Sequence, residues 1–277
     1  MLQQTRVATV QGKYKEFLQR FPNVRSLASA RTQDVLAAWS GLGYYRRARS
    51  AHKTAKLIVA GLNGRLPRSR EELRDLPGIG EYTSAAIASI AFKSPHAVVD
   101  GNVRRVLDRL FGKPLTARGQ AEAAQKLLVE LRPGDFNQAM MELGATICAP
   151  EPKCESCPVF SECATRGKSR RVAAKPLSKK RRVRFALVTK NHRVFLVQRP
   201  RSVSLMPDMW ELPADSRSGA GAVRFRHSIT NTDYFVSVRR RKQPPHGIHG
   251  KWIAQDRLEK MALTGLARKI LRHAGLL

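Results

Sequence analysis

From residue 1 to about 147, apolar residues recur at helical spacing and rarely alternate. VATVQGKYKEFLQRF, TQDVLAAWSGL, YTSAAIASIAF and GQAEAAQKLLVEL each set apolar side chains three or four residues apart, the period of an amphipathic helix. Short breaks containing Gly or Pro, FPNV, GRLPRS, LPGIG and FGKPL, separate these stretches. An all-α domain over residues 1–165 is the expectation. Later the period changes. FALVT, HRVFLVQRP and DYFVSVRRR carry β-branched and aromatic residues in partial alternation, which predicts strands. KWIAQDRLEKMALTGLARKILRHAGLL reads as a helix-rich end. The pattern therefore predicts a multi-domain chain, all-α first and mixed α+β over 185–277, without internal repeats.

Between the two lies RGKSRRVAAKPLSKKRRVR, residues 166–184, with ten Lys or Arg and no acid. It reads as a basic linker suited to lying along phosphates, the alternative being a plainly solvated linker. The whole chain is basic as well, with 51 Lys and Arg against 21 Asp and Glu and a net charge of +30. Such an excess costs self-repulsion in the folded state and points to a polyanionic partner, nucleic acid before an anionic membrane. At 277 residues, 42% hydrophobic and 26% charged, the chain is long enough for two packed domains. No apolar run reaches the ~20 residues of a membrane span, and the first residues lack a signal-peptide pattern. A cytoplasmic monomer is expected, associated in use with the bacterial nucleoid.

Three stretches carry chemistry. The only four cysteines are spaced Cys148-x5-Cys154-x2-Cys157-x5-Cys163. Such a set can wrap a tetrahedral zinc or a [4Fe–4S] cluster. One tight C-x2-C pair, where four-Cys zinc sites commonly use two, favours the cluster. In LPGIGEYTSAAI, Gly78 and Gly80 permit a tight turn that opens a helix with its N–H groups exposed. With SREELRDL before it, residues 70–92 form a helix–hairpin–helix candidate, a grip on the DNA backbone without sequence readout. In VVDGNVRRVLDRL, Asp100 stands at a helix entry. Local sequence favours an N-cap there over catalysis.

MLQQTRVATV, WSGLGYYRRAR, LPGIGEYTSAAI, VVDGNVRRVL, FNQAMMELGATIC and the four-Cys loop appear in one order. Together they resemble the MutY-type adenine DNA glycosylases over nearly all of residues 1–163. FLVQRP, MWELPA and FRHSIT resemble, less closely, the MutT/Nudix-like lesion-recognition domain of that family. The resemblance implies hydrolytic excision of adenine opposite 8-oxoguanine or guanine in double-stranded DNA. It implies that Asp100 stabilises the sugar cation left by adenine, assisted by Asn102 and Tyr82. It assigns Glu142 to the adenine pocket, Gln4 and Tyr44 to wedging beside the lesion, and the four cysteines to a [4Fe–4S] cluster. These roles agree with the chemistry, since a base must leave the stack before reaction and a fixed carboxylate stabilises a sugar cation.

Departures from the family pattern are specific. The first cysteine gap is five residues instead of six, and Ile229-Thr230-Asn231 replaces Phe-Ser-His, with Thr230 retaining a hydroxyl that can bond 8-oxoguanine. The family's adenine-protonating glutamate precedes the MLQQT segment. Residue 1 is accordingly expected to be an internal start, the alternative being a catalytically impaired protein that binds mispairs. Endonuclease III-type relatives use a lysine two residues after the second hairpin glycine, but Tyr82 occupies that position, so strand nicking through a Schiff base is not expected. A Nudix hydrolase is excluded because no acidic REUxEExGU-type helix follows WELPADSRSGAGA.

Overall fold

The computed structural model describes residues 1–2, 5, 7–168, 178–216, 223–229 and 231–277. Its helices are α1 (Val7–Arg20), α2 (Val24–Ser29), α3 (Thr32–Ala38), α4 (Arg46–Gly61), α5 (Arg70–Arg74), α6 (Glu81–Phe92), α7 (Gly101–Leu110), α8 (Ala117–Leu127), α9 (Pro133–Thr146) and α10 (Gly265–His273). Its strands are β1 (Lys179–Lys190), β2 (Arg193–Gln198), β3 (Trp210–Glu211), β4 (Val223–Ile229), β5 (Thr232–Arg241) and β6 (Lys251–Ala254). Two compact units result, one of Met1–Gly64 with Pro176–Leu277 and the other of Arg65–Lys175. The residues read from sequence as one helical domain, 1–165, are thus shared between both units. No helix among the described residues is long and apolar enough to cross a membrane.

In the first unit, the FPNV break starts α2 through a capping box. Asn23 Oδ1 accepts from the Ser26 N–H at 2.9 Å, and Ser26 Oγ accepts from the Asn23 N–H at 3.2 Å. Val10 and Phe17 of α1, with Phe21 just beyond its end, pack on Val35, Leu36 and Trp39. Phe17 meets Phe21 and Trp39 edge-on, with ring centroids 5.0 and 5.8 Å apart. Met209 and Ala262, far along the chain, complete this core. That explains why the first 64 residues belong with the C-terminal segment. Their apolar stripe is buried against it, a long-range pairing invisible to local periodicity.

The sheet of this unit runs β3-β2-β1-β5-β4, with β6 also on β2. β1 and β5 pair in parallel, and the other pairs are antiparallel. One face lays Val183, Phe185, Leu187, Val236 and Val238 on Leu266, Ile270 and Leu271 of α10. Two expectations need correction. The segment read as a linker to residue 184 gives way to β1 at Lys179, because Val183 and Phe185 alternate with outward charges and supply an inner face; residues 169–177 of it lie outside the described residues. The helix-rich end begins as a strand, since Trp252 and Ile253 pair with β2, and helix is confined to a 3-10 turn and α10.

The second unit owes its tight packing to small residues. A Cβ on Gly134 of α9 would lie 3.0 Å from Ile90 Cα in α6, and one on Gly144 would lie 2.7 Å from Asn102 Cβ in α7. The buried amide of Asn137 closes the joint. It donates to Ser89 Oγ at 2.9 Å and the His96 carbonyl at 2.8 Å, and accepts from the Val98 N–H at 2.9 Å. The extended stretch entering α7 is thereby held on α9.

His52 is buried in the first unit, 4% exposed. Burial, then Lys56, hold its pKa below the ordinary 6.5, and burial with Lys269 does the same for His227. An unfolded chain protonates first as pH falls through 6.5, so stability is full above about pH 7 and declines below it. Denaturant titrations from pH 7.5 to 5 should show this decline, limited to about 1.4 kcal/mol per pH unit for each histidine. His52→Gln should remove the share of His52 and leave that of His227.

Candidate active site

The hairpin of the second unit begins at Ser69, whose hydroxyl accepts from the Glu72 N–H at 3.2 Å and caps α5. Leu73 and Leu76 are buried beneath the turn. Gly78 has φ +81°, the left-handed region that favours glycine, and the Ile79 N–H closes on the Leu76 carbonyl at 3.1 Å. Gly80 differs: its φ is −95° and an added Cβ would meet nothing within 4 Å. The fold thus does not demand glycine there. Glu81 engages Arg70 through one oxygen and Arg74 through the other, at 2.7 Å for Arg74.

Asp100 proves to be the N-cap of α7. Its Oδ1 accepts from the N–H groups of Asn102 at 2.8 Å and Val103 at 2.7 Å. Its Oδ2 receives the Asn102 side-chain amide at 3.3 Å. The helix N-terminus and two N–H groups favour an anion at this point. The cap therefore holds this carboxylate in a fixed orientation. Burial, then the charge of Asp100, push the Tyr82 phenol above its usual pKa, so the neutral hydroxyl is maintained. That hydroxyl donates to Met141 Sδ on α9 at 3.4 Å. Glu142, the next residue, is exposed.

Sequence reasoning missed Arg105 and Arg109, which stand with Asn102 at i, i+3 and i+7 on one face of α7. Arg105 donates to Asn102 Oδ1 at 2.9 Å, to the Gly144 carbonyl at 2.6 Å and to the Cys148 carbonyl at 2.8 Å. Arg109 donates to the carbonyls of Ala149 at 2.7 Å and Pro150 at 2.9 Å, and approaches Cys148 Sγ at 3.4 Å. The spacing in VRRVLDR was the available signal, hidden in a chain where arginine is everywhere.

Cys148, Cys154, Cys157 and Cys163 are free thiols lining one cavity of about 30 Å³ with Arg109, Phe160 and Gly167. No group of three or more His, Cys, Asp or Glu among the described residues stands close enough to hold an ion. The donor set nevertheless fits an iron–sulfur cluster by its chemistry. Four thiols share one pocket, a guanidinium lies against Cys148, and a Cβ added to Gly167 (φ +79°) would stand 3.6 Å from Cys154 Sγ.

In the first unit, Gly41, Gly43 and Tyr44 have φ of +98°, +68° and +46°. Tyr44 is 44% exposed, with the Arg47 guanidinium 5.5 Å from its ring centroid. Arg47 also donates to the Met1 carbonyl at 2.8 Å, Thr5 Oγ1 at 2.8 Å and the Leu42 carbonyl at 3.3 Å. A bulky residue in the left-handed region costs of order 1–3 kcal/mol, and here it turns an aromatic ring outward. Gln4 and Thr230 lie outside the described residues.

Gly144→Ala should destabilise the chain by about 1–3 kcal/mol, since α7 must shift; chemical denaturation reads this. Tyr44→Gly should leave stability unchanged or raise it by up to about 1 kcal/mol by relieving the positive φ, as chemical denaturation would read.

Residues 1–133 match the HhH-GPD superfamily of base excision DNA repair proteins. Over 171 residues the chain is 49% identical to the adenine DNA glycosylase of Mus musculus, covering 59% of this chain and 33% of that protein. Over 191 residues it is 39% identical to the adenine DNA glycosylase of Buchnera aphidicola subsp. Schizaphis graminum, covering 66% and 54%. The chain thus spans about a third to a half of these relatives' length. A thermostable thymine-DNA glycosylase superposes with a TM-score of 0.57 at 31% identity, over 61% of this chain and 81% of that one. A trapped endonuclease III–DNA covalent intermediate gives 0.54 at 26% identity, over 60% and 80%. With the hairpin and the capped aspartate in place, these similarities identify the chain as a member of the HhH-GPD superfamily of base excision DNA repair proteins.

Proposed function

We propose that the chain is an adenine DNA glycosylase that hydrolyses the N-glycosidic bond of adenine mispaired with 8-oxoguanine or guanine in double-stranded DNA, without cutting the strand. The observation that carries this reading is the double fixation of Asp100, by two backbone N–H groups on one oxygen and the Asn102 amide on the other. As adenine departs, positive charge develops on the sugar, and a carboxylate already oriented needs no reorganisation to stabilise it. Asn102, itself held by Arg105, keeps the second oxygen aimed. Tyr82 stands where a Schiff-base lysine would be required, so that position supplies no amine to open the sugar. The likeness to adenine DNA glycosylases supports adenine as the base.

The remaining roles follow from this reading. The Gly78–Gly80 turn grips the DNA backbone, Tyr44 and Gln4 wedge beside the lesion, and Glu142 faces the adenine. The β4–β5 hairpin belongs to a MutT-like domain that reads 8-oxoguanine, a task in which the Thr230 hydroxyl takes part. Cys148, Cys154, Cys157 and Cys163 would hold a [4Fe–4S] cluster, which when bound supplies a rigid frame for a DNA-contacting loop. Glu81 is not assigned as the acid that protonates adenine, since both its oxygens are engaged by arginines. The protein works as a monomer on nucleoid DNA.

Single-turnover cleavage of a duplex carrying adenine opposite 8-oxoguanine, followed by alkali, tests the proposal. Asp100→Asn should lower adenine release by at least about 10²-fold while duplex binding is retained. Equal rates for the variant would overturn the site, and strand scission without alkali would overturn the monofunctional chemistry. Tight mispair binding with no adenine release from the parent chain would make it a lesion-binding protein instead.

A further inference from the structure

The β4–β5–β1 part of the sheet has two unlike faces. Val183, Phe185, Tyr234, Val236, Val238 and Phe225 pack into the α10 core. The alternate positions point the other way. There the register sets Arg182 and Arg226 on either side of Phe235, and Arg184 and Arg224 on either side of Ser237. All four arginines are exposed, and Phe235 is 43% exposed. The row nearer the β4–β5 turn holds Lys180, Asp233 and Ser228. Its acid is engaged by the hydroxyls of Ser178, at 2.7 Å, and Ser228.

Edge protection accounts for the charges on β4, the last strand of the sheet, and on the start of β1, which meets β2 only at Thr189 and Lys190, but not for the aromatic ring between them. Nor does solvation call for an aromatic ring centred between two columns of guanidinium groups. Three strands span roughly 10 Å, so one planar group can lie on the ring with anionic groups reaching arginines on either side. A duplex keeps its bases stacked internally and would use the arginines alone, whereas an unpaired strand offers both base faces and phosphates. We propose that this face binds single-stranded DNA, with a base stacked on Phe235 and flanking phosphates on Arg182, Arg184, Arg224 and Arg226. The assignment goes beyond the glycosylase reading and does not rest on it.

Fluorescence anisotropy with the full chain tests it, using labelled dT15, an abasic 15-mer with the same phosphates, and a 15-base-pair duplex. Phe235→Ala should weaken dT15 binding by about 5- to 100-fold and leave the abasic strand unaffected. Arg182→Ser/Arg226→Ser should weaken both single strands and reduce the slope of log K against log salt by about 1.4. These positions are exposed, and an unchanged thermal midpoint verifies the fold of each variant. A Phe235→Ala effect within twofold on dT15, or an unchanged salt slope in the double variant, would overturn the proposal. Equal losses on duplex and dT15 would also overturn it and assign the face to duplex DNA.

Discussion

The capping of α7 by Asp100 is the constraint on which the candidate site depends. Four N–H groups at a helix start have no partner within the helix, and the carboxylate takes two of them, from Asn102 and Val103. An aspartate recruited in this way has its position defined by the backbone rather than by its own torsions. Its neighbours then complete the frame. Asn137 holds the chain just upstream, Gly144 lets α9 close on Asn102, and Arg105 ties Asn102 to the start of the cysteine loop. A structural reading and a catalytic reading of Asp100 compete on paper. The cap fixes the carboxylate that the proposed catalysis would use.

Arginine has several distinct roles in a chain of this charge. Arg105 and Arg109 satisfy carbonyls where α9 ends and the loop begins. Arg47 gathers Met1, Thr5 and Leu42 around the Tyr44 turn. Arg239 and Arg241 flank Asp215, whose side chain is 1% exposed, and so place a charge where only a paired one is tolerated. Others, such as Arg182 and Arg226, remain on the surface. Composition alone cannot sort these classes, because each guanidinium contributes equally to the net charge.

Much of the local structure was legible in the sequence. Helical spacing located α1, α3, α6 and α8, and the Gly-x-Gly turn with its flanking helices located the hairpin. Alternation located β2 and β5. The arginine-rich start of β1 was obscured, because a run of charge conceals the two apolar positions, Val183 and Phe185, that make it a strand. The end of the chain was read with the wrong period around Trp252, where pairing with β2 overrides a local helical pattern.

By itself the sequence determined the elements that depend on nearby residues: helix starts, the hairpin turn, the aspartate cap and the clustering of four thiols within sixteen positions. These are set by torsional preference and by hydrogen bonds spanning a few residues. Tertiary structure decided which apolar stripe met which. Phe17 and Trp39 share a core with Met209, Gly144 admits Asn102, and Arg182 becomes a neighbour of Phe235. Such pairings join residues tens to hundreds of positions apart, and packing and strand register select among partners that local pattern leaves equivalent.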